Sequence, residues 1–283
     1  MAGTMQGKVV LVTGATNGIG RVAARELARR GATTWVVARD RKRGEETLEE
    51  IRRVTASQRL GLLVADLSSQ QEVRRLAGEV KAGNDRLHVL INNAGAIFAE
   101  RQVSPDGLEL TFALNHLGYF LLTRLLLPLL EAGAPSRIVN VSSAAHQGAT
   151  MDFDDLLGEQ GYSSWKAYGQ SKLANILFTK ELARRLEGKR VTANALHPGV
   201  VATGFGRNNG GLWGGLFKVA APLLSTPDKG AKTSVYLASS PEVEGVSGKY
   251  FAASREKTPS PAARDDAAAR RLWELSEQMT GLP

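Results

Sequence analysis

Short runs of β-branched and other apolar residues alternate with longer amphipathic segments along the first two-thirds of the chain. Runs that are apolar almost throughout are typical of strands buried on both faces, and their alternation with helical periodicity predicts a parallel sheet covered by helices. No linker or repeat divides the chain, so 1–283 is predicted to be one α/β domain. The predicted strands are 8–13, 33–38, 60–65, 87–91, 137–142, 190–196 and one near 249–252, and the predicted helices are 18–30, 41–55, 69–82, 106–131, 165–187, 227–240 and 262–278.

The segment 204–226 interrupts this pattern, because glycines are interspersed there among large apolar residues such as Leu212, Trp213, Leu216 and Phe217. A long glycine-rich, apolar insertion in a compact fold is typical of a lid or a binding loop. We therefore predict a substrate lid. The alternatives are a short helix packed on the core and a weak contact with a membrane surface.

Composition is that of an ordinary globular protein, with 43% hydrophobic and 23% charged residues. The longest apolar run, 119–130, contains Arg124 and Pro128 and falls short of the roughly 18 residues of a spanning helix. The start of the chain does not resemble a signal peptide. The absence of cysteine excludes disulfides, thiolate metal sites and a cysteine nucleophile. We expect a cytoplasmic protein without a transmembrane anchor.

The formal charge of +8 raises the question of nucleic-acid binding. Several of the basic residues, including Arg29, Arg30, Arg184 and Arg185, fall at the ends of predicted helices, where the helix dipole favours cations. No basic patch interleaved with aromatic residues accompanies them. The sequence therefore predicts diffuse anion affinity and no specific nucleic-acid partner.

A glycine-rich turn, T13-G-A-T-N-G-I-G20, joins the first predicted strand to the first predicted helix. Glycine permits a tight turn and a close approach of the backbone, and a helix N-terminus offers free N–H groups to a pyrophosphate. A tight turn without a ligand is the simpler alternative. The predicted dinucleotide-binding residues of this turn are Gly14, Asn17, Gly18, Ile19 and Gly20.

The ends of the second and third predicted strands bear on which dinucleotide binds. An acidic residue at the second position accepts hydrogen bonds from the adenosine ribose, whereas an arginine receives a 2′-phosphate. Ala38 occupies the expected acidic position and Arg39 follows it, so NADP(H) is predicted as the preferred cofactor, while Asp40 keeps NAD(H) open. Asp66 and Leu67 resemble an adenine-edge contact, although Asp66 could instead cap a helix.

Tyr168 and Lys172 are four residues apart in a predicted helix, so they share a face. An ammonium beside a phenol favours the ionised phenol and makes a proton donor or acceptor available near neutral pH. Tyr162 and Lys166 have the same spacing. However, Gly161 and the serines after Tyr162 predict that the helix begins just after Tyr162, which places Tyr162 outside it. Of the two tyrosines, Tyr168 is therefore the predicted proton donor or acceptor.

These segments, with N92-N-A-G95 and R137-I-V-N-V-S-S143, resemble the short-chain dehydrogenase/reductase family over nearly the whole chain, and its retinol dehydrogenase branch most. The resemblance implies a seven-stranded, doubly wound Rossmann-type sheet and a nicotinamide dinucleotide. The finer likeness to the branch rests on 137–146, 151–156, 168–188, 197–201 and 269–276.

The resemblance also implies a catalytic tetrad of Asn115, Ser143, Tyr168 and Lys172, with the second serine preferred to Ser142. Tyr168 would exchange the proton, and Lys172 would lower its pKa and bind the nicotinamide ribose. Ser143 would hold the substrate oxygen, and Asn115 would anchor a water that links Lys172 to solvent. Each could instead be a satisfied structural group.

Further cofactor contacts are implied after the fourth and sixth strands. Asn92 could shape the cofactor side of its strand end or only stabilise the sheet, and Thr203 could contact the carboxamide or cap a lid helix. The full set is Asn92, Ala94, Gly95, Pro198, Gly199, Val201 and Thr203.

Other polar clusters are weaker candidates. Asp152, Asp154 and Asp155 lack a histidine or a calcium-loop glycine, so we expect a solvated loop and no metal. The histidines near the predicted site are expected to pack or to touch substrate; they are His116, His146 and His197.

The predicted function is an NADP(H)-dependent oxidoreductase that interconverts a lipophilic alcohol and its aldehyde or ketone. Fold does not fix function, so an epimerase, a dehydratase, a ring reductase or a catalytically vestigial NADP-sensing interaction protein are the alternatives. The resemblance implies a homo-oligomer, either a dimer or a tetramer.

Overall fold

The computed structural model describes residues 5–199 and 226–282. Within them the chain forms a sheet and seven helices of eight residues or more. The strands are β1 (Val9–Thr13), β2 (Thr33–Ala38), β3 (Leu60–Val64), β4 (Val89–Asn92), β5 (Ser136–Val141), β6 (Val191–His197), β7 (Tyr250–Ala252) and β8 (Arg255–Glu256). The helices are α1 (Gly18–Arg29), α2 (Arg41–Thr55), α3 (Gln70–Gly83), α4 (Gly118–Ala132), α5 (Ser164–Arg185), α6 (Pro227–Ser239) and α7 (Asp266–Thr280).

The sheet has the order β3-β2-β1-β4-β5-β6-β7-β8. The first seven of these strands are parallel, and the two-residue β8 pairs antiparallel with β7. The predicted doubly wound α/β fold is confirmed, with one short edge strand beyond the seven expected. The strand order reverses between β1 and β4, and in such folds the ligand binds at the carboxyl edge of the strands at that point.

Two buried clusters sandwich the sheet. Val10 and Val12 of β1 belong to one cluster and Leu11 to the other, because successive side chains of a strand point to opposite faces. Helices α1, α2 and α6 supply the first cluster, and α3, α4 and α5 supply the second. Helix α7 packs on α5 through Trp273, which is buried in the second cluster.

The helix predicted over 106–131 begins later. Glu109 caps it, because its carboxylate accepts hydrogen bonds from the amides of Thr111 (2.8 Å) and Phe112 (2.7 Å). A π-helical turn, Ala113–Leu117, then precedes α4. The helical stretch 110–132 is, among the described residues, long and apolar enough to cross a membrane, and 67% of its most apolar window is buried in this fold. Buried core helices pass the same test.

The predicted lid falls almost entirely outside the described residues. Thr226, its last residue, caps α6 by accepting a hydrogen bond from the Lys229 amide. The predicted helix over 227–240 is confirmed as α6.

Candidate active site

The glycine turn lies at the carboxyl end of β1, at the switch point of the sheet. Gly14 (φ +61°) and Gly18 (φ +52°) adopt the left-handed conformation that favours glycine. Asn17, at the N-cap of α1, makes no side-chain hydrogen bond to the first turn, and that turn contains no acidic residue. The first amides of α1 therefore have neither a side-chain cap nor a competing carboxylate, which fits the binding of a pyrophosphate.

Close packing explains two of the glycines. A Cβ atom on Gly14 would lie 2.6 Å from the Cα of Ala94. A Cβ atom on Gly20 would lie 2.5 Å from the carbonyl oxygen of Gly14 and closer still to Nδ2 of Asn93. No side chain fits at either position without a shift of the β1 and β4 ends, and those ends form the floor of the candidate dinucleotide site.

Asn93, which the sequence analysis did not single out, ties the two strand ends together. Its Nδ2 donates to the carbonyl oxygens of Thr13 (2.8 Å) and Gly14 (3.1 Å). The Thr13 hydroxyl in turn accepts from the amides of Asn93 (2.9 Å) and Ala94 (3.1 Å). Asn93 therefore holds the glycine turn in position.

The contacts of Asn92 fit the structural alternative, and its predicted contact with the cofactor stays a prediction. It is fully buried, and its Nδ2 donates to Thr123 Oγ1 (2.9 Å) and Asn140 Oδ1 (2.8 Å). Asn140 continues the chain of bonds to Thr179. Asn92 thus stabilises the sheet against α4 and β5, because side-chain direction alternates along β4 and leaves Asn93 for the turn.

The polar residues that follow β2 and β3 differ in their exposure and in their hydrogen-bond partners. Arg39 is exposed, and Asp40 caps α2 by accepting from the Arg43 amide (2.8 Å). Asp66 accepts from both the amide (2.9 Å) and the hydroxyl (2.7 Å) of Ser68, whereas Ser69 caps α3. The helix-cap alternative for Asp66 is therefore wrong, and its carboxylate shapes the turn after β3 instead.

Tyr168 and Lys172 lie on α5, and both are buried. The Lys172 ammonium nitrogen is 5.7 Å from the Tyr168 ring centroid and donates to the carbonyl oxygen of Val141 (3.2 Å). Because Ser163 caps α5, Tyr162 precedes the helix, as predicted. Tyr162 donates to the Phe98 carbonyl oxygen (2.9 Å), so this second pair is not brought together.

The two serines after β5 point in different directions. Ser142 is buried, and its hydroxyl donates to the Lys172 carbonyl oxygen (2.7 Å). Ser143 is partly exposed and hydrogen-bonds to the Tyr168 phenol. His146 Nδ1 is hydrogen-bonded to the Ser143 carbonyl oxygen (2.7 Å), and His146 Nε2 accepts from the Ser260 amide (3.3 Å). The structure therefore brings Ser143, and not Ser142, to the phenol.

Burial shifts the pKa values of the two central groups in opposite directions. It raises the pKa of Tyr168 to about 12, against the smaller lowering effect of the hydrogen bond with Ser143. It lowers the pKa of Lys172 to about 7. The expectation that Lys172 lowers the phenol's pKa is not met in this state, because desolvation disfavours the charged form of each group.

Asn115 lies in the π-helical turn and packs against the chain that follows β4. Its side chain accepts from the Ala96 amide (2.9 Å) and donates to the Ala96 carbonyl oxygen (2.9 Å) and to Ser171 Oγ (3.0 Å). The carbonyl oxygen of Asn115 accepts from Asn175 Nδ2 (2.9 Å). A Cβ atom on Gly95 would lie 3.0 Å from Asn115 Oδ1 and 3.2 Å from Lys172 Nζ. Asn115 therefore sits beside Lys172, and its water-anchoring role stays a prediction.

The remaining predicted residues divide between the site and the regions around it. Pro198 and Gly199 follow β6, and the Gly199 amide donates to His197 Nδ1 (3.0 Å). Val201 and Thr203 lie outside the described residues.

The three aspartates of the loop before α5 are engaged with other protein groups. Asp152 pairs with Lys166, Asp154 pairs with Arg271, and Asp155 accepts from the Glu159 and Gln160 amides.

A doubly wound sheet, a glycine turn without a side-chain cap at its switch point and a buried Tyr-Lys pair after β5 are typical of a dinucleotide-binding oxidoreductase. The family model for short chain dehydrogenase matches residues 8–210, and the chain belongs to the short-chain dehydrogenase/reductase family. Members transfer hydride between NAD(P)(H) and an alcohol or carbonyl group.

Curated relatives confirm the predicted branch. The chain is 48% identical to human retinol dehydrogenase 14, over 99% of this chain and 88% of that protein. It is 45% identical to human retinol dehydrogenase 13, over 99% of this chain and 86% of that protein.

Solved structures agree on the fold. An uncharacterised protein from Mycobacterium paratuberculosis superposes with a TM-score of 0.78 at 37% identity, and the match covers 98% of this chain and 94% of that one. The Pseudomonas aeruginosa RhlG/NADP active-site complex superposes with a TM-score of 0.71 at 27% identity, over 89% and 96% of the two chains.

Proposed function

We propose that the protein is an NADPH-dependent reductase of lipophilic aldehydes or ketones, with Tyr168 as the proton donor. The observation that carries this proposal is the Tyr168 phenol, which is hydrogen-bonded to Ser143 and adjacent to the buried Lys172 at the carboxyl edge of the sheet. The names of the curated relatives, which are retinol dehydrogenases, support a substrate with an alcohol or carbonyl group on an apolar body.

The protonated state of the Tyr168 phenol fits a role as proton donor in carbonyl reduction. When bound, the dinucleotide supplies the hydride. With its pKa raised to about 12, Tyr168 holds its proton at neutral pH and donates it to a carbonyl oxygen. Ser143 orients that oxygen, and the Lys172 ammonium lies beside the Tyr168 ring. Because NADPH is the usual cellular form of this cofactor, reduction is the proposed direction.

The charges at the end of β2 support NADP(H) over NAD(H). Ala38 is buried where a ribose-binding acid would stand, and the carboxylate of Asp40 is engaged at the N-terminus of α2. The exposed guanidinium of Arg39 is adjacent to both. Arg39 is thus the side chain proposed to receive the 2′-phosphate.

Arg39→Ala is expected to weaken NADPH binding by about 1.5–3 kcal/mol, roughly 10- to 150-fold, because it removes hydrogen bonds to a charged group. NADH binding should barely change. Dissociation constants measured by fluorescence titration check this. Arg41→Ala is the matched control, since Arg41 is also an exposed arginine and lies at the start of α2. Equal losses for both cofactors would show that Arg39 is structural.

Substrate lipophilicity is tested with straight-chain aldehydes and NADPH consumption. If apolar side chains line the substrate site, each buried methylene contributes about 0.8 kcal/mol, so kcat/KM should rise roughly fourfold per carbon until the site is filled. Among the described residues, the half-exposed Trp165 lies one turn before Tyr168, with ring centroids 6.3 Å apart, and provides apolar surface there. Trp213 and Phe217 of the predicted lid would provide the rest.

The Trp213→Ala and Phe217→Ala variants should flatten this rise and leave the shortest aldehydes little affected. A small polar substrate preferred to all long-chain aldehydes would exclude the lipophilic proposal and leave the family assignment intact. Ketones and quinones belong in the same panel, and NADPH-dependent turnover of any carbonyl compound would argue against a sensing role. The cytoplasmic location and the homo-oligomeric state stay predictions.

A further inference from the structure

The ammonium group of Lys172 lies between two phenol rings. Its nitrogen is 5.7 Å from the centroid of Tyr168 on its own helix and 5.7 Å from the centroid of Tyr119 on α4. Both distances are within the range of a cation–π interaction, which is strongest when the cation is desolvated. Tyr168 has a role in the proposed chemistry, whereas no role follows from that chemistry for Tyr119.

Hydrogen bonding does not explain why a tyrosine stands at position 119. The side chain is fully buried, and its hydroxyl has no hydrogen-bond partner among the residues that the structure describes. Burial and the nearby Tyr168 phenol raise the pKa of Tyr119 well above its ordinary value, so it does not exchange protons near neutral pH. What Tyr119 offers to the site is its ring.

The charge of Lys172 needs such a partner. Within 5–199 and 226–282, no carboxylate forms a salt bridge with Lys172, and its polar contact is the Val141 carbonyl oxygen, which Asn175 Nδ2 shares (3.4 Å). His116, in the π-helical turn just before α4, is neutral, because burial lowers its pKa to about 3. Among the described residues, the titratable side chains whose contact with the ammonium is observed are Tyr168 and Tyr119.

We propose that Tyr119 is a positioning residue that acts through Lys172, and that its ring face holds the ammonium, in its charged form, against Tyr168. The proposal rests on the proposed function only where catalysis is the readout. The face of the Tyr119 ring carries the negative part of the aromatic quadrupole, and it attracts the ammonium at a position where no described carboxylate pairs with Lys172. A carboxylate there would form a buried ion pair and occupy N–H groups of the ammonium, whereas a ring face leaves those N–H groups free to donate elsewhere.

The test compares three variants at position 119 that respectively remove the hydroxyl, weaken the quadrupole of the ring and remove the ring. In Tyr119→Phe, the face is kept and the unpartnered hydroxyl is lost. Incorporation of 3,4,5-trifluorophenylalanine keeps the packing and weakens the quadrupole, and Tyr119→Leu removes the ring. Phe120→Leu is the matched control, because Phe120 is an equally buried neighbour whose ring packs on Phe178 and Trp273.

The first readout is the titration of the Lys172 ammonium, followed by nitrogen-15 NMR of lysine-labelled protein without cofactor and assigned with Lys172→Met. Removal of the ring face should lower the pKa of Lys172 by about one pH unit in Tyr119→Leu, with a smaller shift for the trifluoro variant and none for Tyr119→Phe or Phe120→Leu. This readout does not depend on turnover.

The second readout is the pH profile of carbonyl reduction. Since a lower Lys172 pKa means that its charge is lost at lower pH, the alkaline limb should move to lower pH by the same amount and in the same order of variants. An unshifted titration in both the trifluoro and leucine variants would overturn the proposal, and so would equal shifts in Tyr119→Phe or Phe120→Leu. Expected NMR shifts without any carbonyl turnover by the wild type would support the role of Tyr119 and contradict the proposed function.

Discussion

Replacing Tyr168 with phenylalanine is expected to lower the turnover number by about 10²–10⁴-fold, the range contributed by a positioned general acid. NADPH affinity should stay nearly unchanged, because the substitution removes one hydroxyl from a buried ring and little packing volume. Steady-state reduction kinetics and a separate NADPH titration check the two halves of this expectation. A loss of cofactor affinity equal to the loss of turnover would mean that Tyr168 only shapes the site.

Tyr162→Phe is the matched control. Tyr162 has the same spacing to a lysine, but its hydroxyl donates to the Phe98 carbonyl oxygen, and Lys166 pairs with Asp152. The loss of one partly buried hydrogen bond should reduce stability by about 0.5–1.5 kcal/mol and leave turnover intact. If Tyr162→Phe were the inactive variant, the assignment of the proton donor would be wrong.

The parts of the fold that the sequence predicted are those fixed by local pattern. Continuous apolar runs identified the strands, and the glycine turn between β1 and α1 could be placed because its spacing reflects backbone conformation at Gly14 and Gly18. The start of α5 was also predictable, since Ser163 is a favoured N-cap. These features depend on a few adjacent residues.

Features that depend on burial and on distant partners were not predictable. Residues 92 and 93 are both asparagines, so the residue type does not distinguish them. Side-chain direction alternates along β4, and this decides which of the two holds the glycine turn. The pKa values of Tyr168 and Lys172 depend on how completely the fold excludes water from both. A four-residue spacing carries no such information. The cap at Glu109 was missed because glutamate is not among the usual N-cap residues.

Gly20→Ala is expected to damage both the fold and the dinucleotide site. Gly20 lies in the first turn of α1 with an ordinary helical backbone, so the cost is steric: a Cβ would overlap the Gly14 carbonyl oxygen and Asn93 Nδ2. These are the two groups whose hydrogen bond holds the turn against β4. We expect a loss of about 1–3 kcal/mol in the free energy of unfolding, the usual cost of overpacking, and a loss of NADPH affinity of at least about tenfold.

Gly78→Ala separates this local clash from the general effect of replacing a helical glycine. Gly78 lies inside α3, and nothing stands within 4 Å of the position its Cβ would take. Alanine there should raise the free energy of unfolding by about 0.5–1 kcal/mol, because glycine loses more conformational freedom on folding, and should leave NADPH affinity unchanged. Denaturant unfolding and NADPH titration of both variants give the comparison. If Gly20→Ala bound NADPH as tightly as the wild type, the β1–α1 turn would not be the pyrophosphate cradle, because a displaced turn would then have no consequence for the ligand it is proposed to hold.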